Sequence, residues 1–194
     1  MKVVKLGEEL LRKKAEPVLQ EEINDDLRVF IDEMFDAMIE LDGVGLAGPQ
    51  AGIGKRFFIV LADDDVRRVF INPQIISTSK ELCDFEEGCL SIPKTYESIT
   101  RPAKVTVQAF NEKGKPFTIE AEGLLARIIQ HEYDHLDGIL FIDRGDKEFA
   151  EKTERQFKKR AEKEQQRQRE KREKERKIAD KKAMQEAKKN AKTH

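Results

Sequence analysis

Three short segments of the chain contain the residue types from which proteins build metal sites. They are Gly43–Gln50 (GVGLAGPQ), Glu87–Ser91 (EGCLS) and Gln130–His135 (QHEYDH). The third segment contains the pattern H-E-x-x-H. On a helix, residues four apart lie one turn apart on one face, so His131 and His135 can bind one cation, with Glu132 beside the water to be activated. The spacing therefore predicts a metal site that acts on water.

The third ligand of this site has few candidates. The chain has 3 histidines, and the remaining one, His194, is the terminal residue, so a third histidine ligand is nearly excluded. A cysteine or a carboxylate must then complete the site. Cys89 fits because the preceding Gly88 permits close backbone approach and a cysteine provides a soft thiolate. A Cys-His-His set leaves a fourth position open, which is the catalytic rather than the structural arrangement.

Simpler interpretations compete with this one. The histidines could be hydrogen-bonded residues of a buried helix, and Cys89 could be an inert small hydrophobe. Against the first interpretation, Glu132 would then be a costly unpaired charge in a core. A zinc endopeptidase would use the same helix with a ligand from downstream, but neither Asp137 nor Asp143 lies in a pattern that indicates a ligand. The other cysteine, Cys83, lies between charged residues and needs no role.

Two helices and several strands must position these residues. A first helix follows Asn24, a good N-cap, and ends at Asp42-Gly43. A second, about residues 121–137, carries H-E-x-x-H near its C-terminal end, with Gly138 as the C′ residue. Strands are predicted at Phe57–Leu61, at Val69–Asn72 where Pro73 stops the strand, and in a hairpin of Val105–Phe110 and Phe117–Ala121 around the five-residue loop Asn111–Lys115. These elements predict an α+β fold, with mixed or antiparallel sheets around a central helix that carries H-E-x-x-H.

The last quarter of the chain has a different composition. Residues 1–145 contain 18 Lys and Arg against 27 Asp and Glu, a net charge of −9, whereas residues 146–194 have 19 against 11, a net charge of +8. Good helix formers and charges of opposite sign four residues apart predict a long, charged C-terminal helix over residues 147–190, about 65 Å in length and largely solvated. No run of about 18 apolar residues predicts a membrane span. Met1–Pro17 does not resemble a signal peptide, and two cysteines without a disulfide pattern favour the cytoplasm.

The three segments resemble the three signature motifs of bacterial peptide deformylases, in the same order and at similar separations. The resemblance covers about residues 1–145, which it marks as the catalytic deformylase domain, and leaves residues 146–194 as a C-terminal extension. The chain departs from the usual first motif, Gly-x-Gly-Leu-Ala-Ala-x-Gln, by having Gly48 at the second alanine. This departure calls the stiffness of that loop into question, because glycine adds backbone freedom.

The resemblance implies hydrolysis of the N-formyl group from the initiator methionine of new polypeptides, with release of formate. It implies Cys89, His131 and His135 as ligands of one divalent metal, which is often Fe²⁺ in the family, with Zn²⁺, Ni²⁺ or Co²⁺ as alternatives. The other implied roles are acid–base catalysis by Glu132, oxyanion stabilisation by the Gln50 amide and the Leu90 backbone N–H, and binding of N-formylmethionyl peptides by Val44, Gly45, Glu87 and Gly88. An apolar methionine pocket is predicted from Val44, Phe85, Leu124 and Ile128, each of which could instead be ordinary core.

The net positive extension suggests a further partner. Bacterial deformylases often carry a C-terminal helix that docks on the ribosome, so residues 146–194 are predicted to contact ribosomal RNA, although interspersed acidic residues weaken the case. A rival from another class is a ribosome- or RNA-binding protein whose deformylase-like body has lost activity. The intact Gln50, Cys89 and Glu132 argue against that rival, and Gly48 keeps it open.

Overall fold

Within residues 1–190, which the computed structural model describes, the chain forms seven strands and three α-helices. The side chains of residue 165 and of residues 177–190 are outside this description, and so is His194. The helices are α1 (Asp25–Glu40), α2 (Gly123–Leu136) and α3 (Lys147–Asn190), with short 3-10 helices at Glu9–Arg12, Gln20–Glu22 and Phe141–Asp143. The strands are β1 (Gly45–Ala47), β2 (Phe57–Leu61), β3 (Arg67–Thr78), β4 (Leu82–Cys89), β5 (Ile92–Pro102), β6 (Lys104–Phe110) and β7 (Pro116–Glu122).

The strands form two antiparallel sheets. One has five strands in the order β1-β2-β3-β6-β7, and the other is the β4–β5 pair. The hairpin of β6 and β7 pairs Phe110 with Pro116 around the loop at residues 111–115, as the sequence predicted. The α+β prediction is therefore confirmed, and every pairing between these strands is antiparallel.

Both faces of the larger sheet are covered, which explains why β2 is apolar along its whole length. Alternate side chains of a strand point to opposite faces. Phe58 and Val60 belong to a cluster that includes Ile129 and Leu136 of α2. Phe57 and Ile59 belong to a second cluster with residues of α1, namely Ile31, Met34, Phe35 and Met38. Helix α2, which carries H-E-x-x-H, is thereby held against the sheet.

Most predicted elements are confirmed, with small shifts at their ends. The Asn24 side chain accepts a hydrogen bond from the backbone N–H of Leu27, which is the predicted cap of α1. Helix α2 begins at Gly123 rather than near residue 121, because Ala121 and Glu122 pair with β6. Gly138 follows the helix with φ of 73°, as a C′ glycine does.

The prediction that Pro73 stops a strand is wrong. Strand β3 runs from Arg67 to Thr78 through the proline. Its pairing with β6 shifts register between Ile71 and Gln74, and Asn72 has a left-handed φ of 49°. Within this β-bulge the proline has no ladder hydrogen bond to donate, so its missing N–H costs nothing. Strands β1, β4 and β5 were not predicted, because their polar or glycine-rich sequences lack apolar alternation.

The chain divides into two units. The first comprises Met1–Thr153 and the second begins at Glu154. Thr153 is buried, whereas the described side chains from residue 158 to residue 176 are exposed. Helix α3 has the predicted bounds of the C-terminal helix. Within the described part of the chain, no helix combines the length and the apolar character that a membrane crossing requires.

Candidate metal centre

Helix α2 and the end of β4 bring the three predicted ligands together. His131 and His135 lie on the buried side of α2, one turn apart, with ring centroids 5.1 Å from each other. Cys89 is the last residue of β4, where a register shift against β5 follows Gly88. Its Sγ lies 3.3 Å from Nε2 of His135. One potential ligand atom from each of the three residues lies within 4.8 Å of the others, and no other such group occurs among the described residues.

The chemistry of this donor set fits a divalent transition metal. A thiolate and two imidazoles are the ligands that such ions prefer over carboxylates alone. Burial lowers the pKa of His135 well below its usual value, which favours the neutral imidazole that binds a metal. The downstream carboxylates are engaged elsewhere, since Asp137 pairs with Arg56 and Asp143 pairs with Arg12.

Glu132 is a buried carboxyl group next to these ligands. Its Oε2 has no hydrogen-bond partner within the described part of the chain. Burial raises the pKa of Glu132 to about 7, so the group can both accept and return a proton near neutral pH. Gly45 allows the first motif to approach it: a Cβ at residue 45 would lie 2.4 Å from Oε1 of Glu132.

The Gln50 side chain is held in one orientation beside Cys89. Its Oε1 accepts a hydrogen bond from the backbone N–H of Ala47 at 2.8 Å. Its Nε2 lies 3.3 Å from Sγ of Cys89 and 3.3 Å from Oγ of Ser91. The Gln50 amide nitrogen therefore lies next to the ligand group, between Cys89 and Ser91. Leu90, whose N–H was predicted as the second oxyanion donor, follows Cys89 directly, and its carbonyl accepts a hydrogen bond from Nζ of Lys5 at 2.6 Å.

A cavity of about 520 Å³ opens onto this group. All the residues predicted to bind substrate line it, namely Val44, Gly45, Phe85, Glu87, Gly88, Leu124 and Ile128. Gln50, Cys89, Leu90, His131 and Glu132 line it as well. The side chain of Ile128 is buried, whereas Val44 and Phe85 are about half exposed at 45% and 48%. The cavity thus combines apolar walls with a few polar groups, as small-ligand sites do.

Comparison with known proteins identifies the family. The sequence pattern of the family described as polypeptide deformylase matches residues 1–151. The chain belongs to this family. It is therefore an enzyme that removes the N-formyl group from newly made polypeptides.

The relatives of this deformylase chain cover most of it. The peptide deformylase of Treponema pallidum (strain Nichols) is 50% identical over 152 residues, which are 78% of this chain and 92% of the relative. The crystal structure of a Synechococcus elongatus peptide deformylase in complex with actinonin matches with a TM-score of 0.74 and 41% identity, covering 79% of this chain and 83% of that one. A Met-Ala-Ser-bound deformylase of Acinetobacter baumannii matches with a TM-score of 0.71 and 38% identity, covering 74% and 97%.

Glu87 occupies a position in this deformylase that the sequence did not indicate. Glu87 lines the cavity, but its buried carboxylate is bound by two arginines and a histidine instead of facing the cavity. Oε2 lies 2.9 Å from Nδ1 of His131, and Arg101 and Arg127 donate hydrogen bonds to the carboxylate. Burial alone would raise the pKa of Glu87, but the hydrogen bonds with His131 and Arg101 hold it well below its usual range. The Glu87 carboxylate is therefore bound by groups of the protein itself.

The sequence interpretation missed the residues around Glu87. Arg101 and Arg127 are buried arginines, and Asp134 is a buried aspartate within the third motif. Cys83, to which no role was assigned, contacts Arg127 through its carbonyl oxygen at 2.7 Å. The position of Arg127 four residues before His131, on the same face of α2, was the one available signal that Arg127 is buried. Nothing in the local sequence around Arg101 indicates burial.

Proposed function

We propose that deformylation proceeds at Cys89, His131 and His135, with α2 as the central helix of the catalytic domain. The observation that carries this proposal is the proximity of one thiolate and two imidazoles to a buried carboxyl group. A divalent cation held by the three side chains would polarise water and the formyl oxygen. We propose Fe²⁺ as the native ion, with Zn²⁺, Ni²⁺ or Co²⁺ as replacements.

Glu132 is the proposed acid–base catalyst. In the attack step, the water oxygen bonds to the formyl carbon while one water proton passes to the Glu132 carboxylate. In the collapse step, the C–N bond breaks and the same proton passes to the departing amine, so formate and a free N-terminus are produced. A pKa near 7 suits both transfers, because neither protonation state is strongly favoured.

Gln50 and Leu90 are the proposed donors to the oxyanion that forms between these steps. The hydrogen bond from Ala47 to Oε1 orients the Gln50 amide before substrate arrives. Such preorganised donors stabilise the developing charge without reorganisation during the reaction. The Leu90 backbone N–H is assigned to the same oxygen from its position next to Cys89.

The 520 Å³ cavity is the proposed site of the methionine side chain. Leu124 and Ile128 on α2, together with Phe85 and Val44, are proposed to supply apolar contacts to an unbranched thioether. The backbone of Val44, Gly45, Glu87 and Gly88 is proposed to bind the peptide main chain. The Met-Ala-Ser found in the A. baumannii relative supports a formylated methionyl peptide as the substrate.

The experiment that tests this assignment measures formate release from formyl-Met-Ala-Ser by anaerobically purified protein, together with bound metal. Glu132→Ala should retain about one metal per chain and lose at least about 100-fold in turnover, because only proton transfer is removed. Cys89→Ala should lose bound metal as well as activity. Cys83→Ala is the matched control, and it should change neither quantity: the thiol lies outside the ligand group, and Arg127, 3.3 Å from the Cys83 Sγ, keeps its shorter hydrogen bond to the Cys83 carbonyl.

The outcomes separate the rival functions. Near-normal turnover in Glu132→Ala would remove that residue from its role, and unchanged metal content in Cys89→Ala would refute the ligand assignment. Cleavage of an unformylated internal peptide bond would favour the endopeptidase. Metal-loaded protein without formate release would favour the inactive RNA-binding protein.

We propose that residues 1–145 are the catalytic domain and that residues 146–194 tether the enzyme to ribosomal RNA. The support is the net charge of +8 in the extension beside −9 in the rest of the chain. Clustered lysines and arginines bind phosphates by displacing counterions. Such a tether would keep the enzyme in the cytoplasm, next to its substrates.

A further inference from the structure

A continuous chain of ion pairs leads from the protein surface to His131. Arg144 donates two hydrogen bonds to the Asp134 carboxylate, from Nη2 at 2.5 Å and from Nε at 3.1 Å. Arg101 donates to Asp134 at 2.7 Å and, through its other nitrogens, to Glu87 at 2.6 and 3.0 Å. Glu87 then contacts Nδ1 of His131 at 2.9 Å. Each link is a charge-assisted contact between oriented groups.

The inner residues of this series of ion pairs are buried, whereas Arg144 at its outer end is partly exposed. The side chains of Glu87, Arg101 and Asp134 are 3%, 5% and 7% exposed, whereas that of Arg144 is 45% exposed. A second cavity of about 280 Å³, which shares no lining residue with the catalytic cavity, is bounded by Arg101, Asp134 and Arg144. The outer end of the ion-pair series, at Arg144, is therefore accessible to solvent.

Each buried carboxylate of this series of ion pairs contacts two arginines. Arg101 is common to Glu87 and Asp134, so each carboxylate depends on one further arginine for its second contact. Arg127 supplies a second cation to Glu87, and Arg144 supplies the second cation to Asp134. Without Arg144, the Arg101 guanidinium would be drawn toward the under-compensated Asp134, because an unpaired buried charge is costly. Its paired contact with Glu87 would weaken, and with it the orientation of the carboxylate that holds His131.

We propose that Arg144 is a positioning residue of the metal centre, acting through Asp134, Arg101 and Glu87 on the imidazole of His131. The contact of Glu87 with Nδ1 fixes the tautomer and ring orientation of His131 and leaves Nε2 as the nitrogen that would hold the metal. Arg144 does not contact Glu87 but orients it through Asp134 and Arg101. This inference rests on the proposed assignment of His131 as a ligand.

The test uses Co²⁺-substituted full-length protein and two readouts other than activity: the visible absorption spectrum of the ion and its release rate to a chelator. Arg144→Gln should shift the spectrum and accelerate release about tenfold, the lower end of the cost of losing an outer-shell partner. Arg144→Lys keeps the charge but cannot make both contacts, so its release rate should lie between those of wild type and Arg144→Gln.

Arg56→Gln is the matched control. Arg56 pairs with Asp137 at the C-terminal end of α2 and is more buried than Arg144. It is not one of the residues that connect Arg144 to His131. Its spectrum should be unchanged and its release rate within about twofold of wild type, since only outer-shell partners carry the tenfold cost. Equal acceleration in Arg56→Gln would mean general loosening of α2 and would overturn the proposal.

The remaining outcomes are also decisive. A wild-type spectrum and release rate in Arg144→Gln would overturn the proposal. If that variant does not fold, Arg144→Lys decides: faster release with a shifted spectrum supports the role, and unchanged release removes it. Failure of wild-type protein to bind Co²⁺ would instead refute the ligand assignment itself, so the two failures are distinguishable.

Discussion

Two glycines of the first motif set how closely that segment approaches its neighbours. Gly45 leaves room for Glu132, as the 2.4 Å contact of an added Cβ shows. At Gly48 an added Cβ would lie 2.7 Å from the Lys55 carbonyl oxygen and 3.0 Å from the Phe57 ring. The sequence suggested that Gly48 loosens its loop. Its N–H nevertheless donates to the Phe57 carbonyl at 2.9 Å, so close packing rather than flexibility is the reason for glycine here.

The substitution that restores the usual family residue should therefore destabilise this chain. We expect Gly48→Ala to lower the free energy of unfolding by about 1–3 kcal/mol, because backbone rather than a flexible side chain must move. Urea unfolding monitored by circular dichroism measures the change.

Gly54→Ala is the control for this substitution, since an added Cβ there would contact only the end of the Leu10 side chain at 3.3 Å. Its unfolding free energy should change by less than about 1 kcal/mol. Equal stability of Gly48→Ala and wild type would show that the Lys55 carbonyl yields at no cost.

At the scale of elements, the bulge in β3 connects the N-terminal segment to the larger sheet. The Asn72 side chain accepts a hydrogen bond from the Val18 N–H at 2.9 Å and donates one to the Val18 carbonyl at 2.8 Å. The left-handed φ of Asn72 is one that asparagine tolerates better than most residues. The bulge that the sequence interpretation mistook for a strand end is thus an anchoring point.

Removing the Asn72 amide should loosen this anchor. We expect Asn72→Ala to cost about 1–3 kcal/mol of unfolding free energy, because the Val18 N–H and carbonyl lose their partner. Thermal and urea unfolding measure the cost. Asn72→Asp retains an acceptor for the Val18 N–H but no donor, so it should fall between alanine and wild type. An unchanged unfolding free energy in Asn72→Ala would mean that water replaces the amide as the partner of Val18.

At the scale of the whole molecule, the chain combines an acidic catalytic unit with a basic helical segment. Residues 161–194 contain 13 Lys and Arg against 7 Asp and Glu, a net charge of +6. The described side chains from residue 158 to residue 176 are exposed. Exposed residues contribute little to unfolding free energy, so the described side chains of this segment are expected to add little to stability.

Deleting residues 161–194 should separate these two roles. We expect loss of cosedimentation with ribosomes at low salt, while the Tm of the catalytic unit stays within about 2 °C and formate release from a short peptide is unchanged. The matched variant replaces Lys171, Arg172, Lys174 and Arg176 with Gln in the full-length chain. It should also reduce cosedimentation, whereas Gln at Glu170, Glu173 and Glu175 should strengthen it. Unchanged cosedimentation after the deletion would exclude residues 161–194 from the proposed tether and leave only residues 146–160.

The sequence by itself determined the family, the two helices of the catalytic unit and the segments that line the cavity. Caps, apolar periodicity and the H-E-x-x-H spacing are local features, so they can be read without the fold. Strands β4 and β5 escaped prediction because their pairing, rather than apolar alternation, stabilises them.

Only the tertiary structure decided the surroundings of His131. Arg101 and Glu87 are 14 residues apart in sequence, Arg101 and Asp134 are 33 apart, and Glu87 and His131 are 44 apart. An isolated arginine or glutamate in a sequence is normally solvated, and its burial becomes favourable only when the fold brings partners of opposite charge to it. The ligand types are thus local information, whereas the charges that orient them depend on which distant elements pack together.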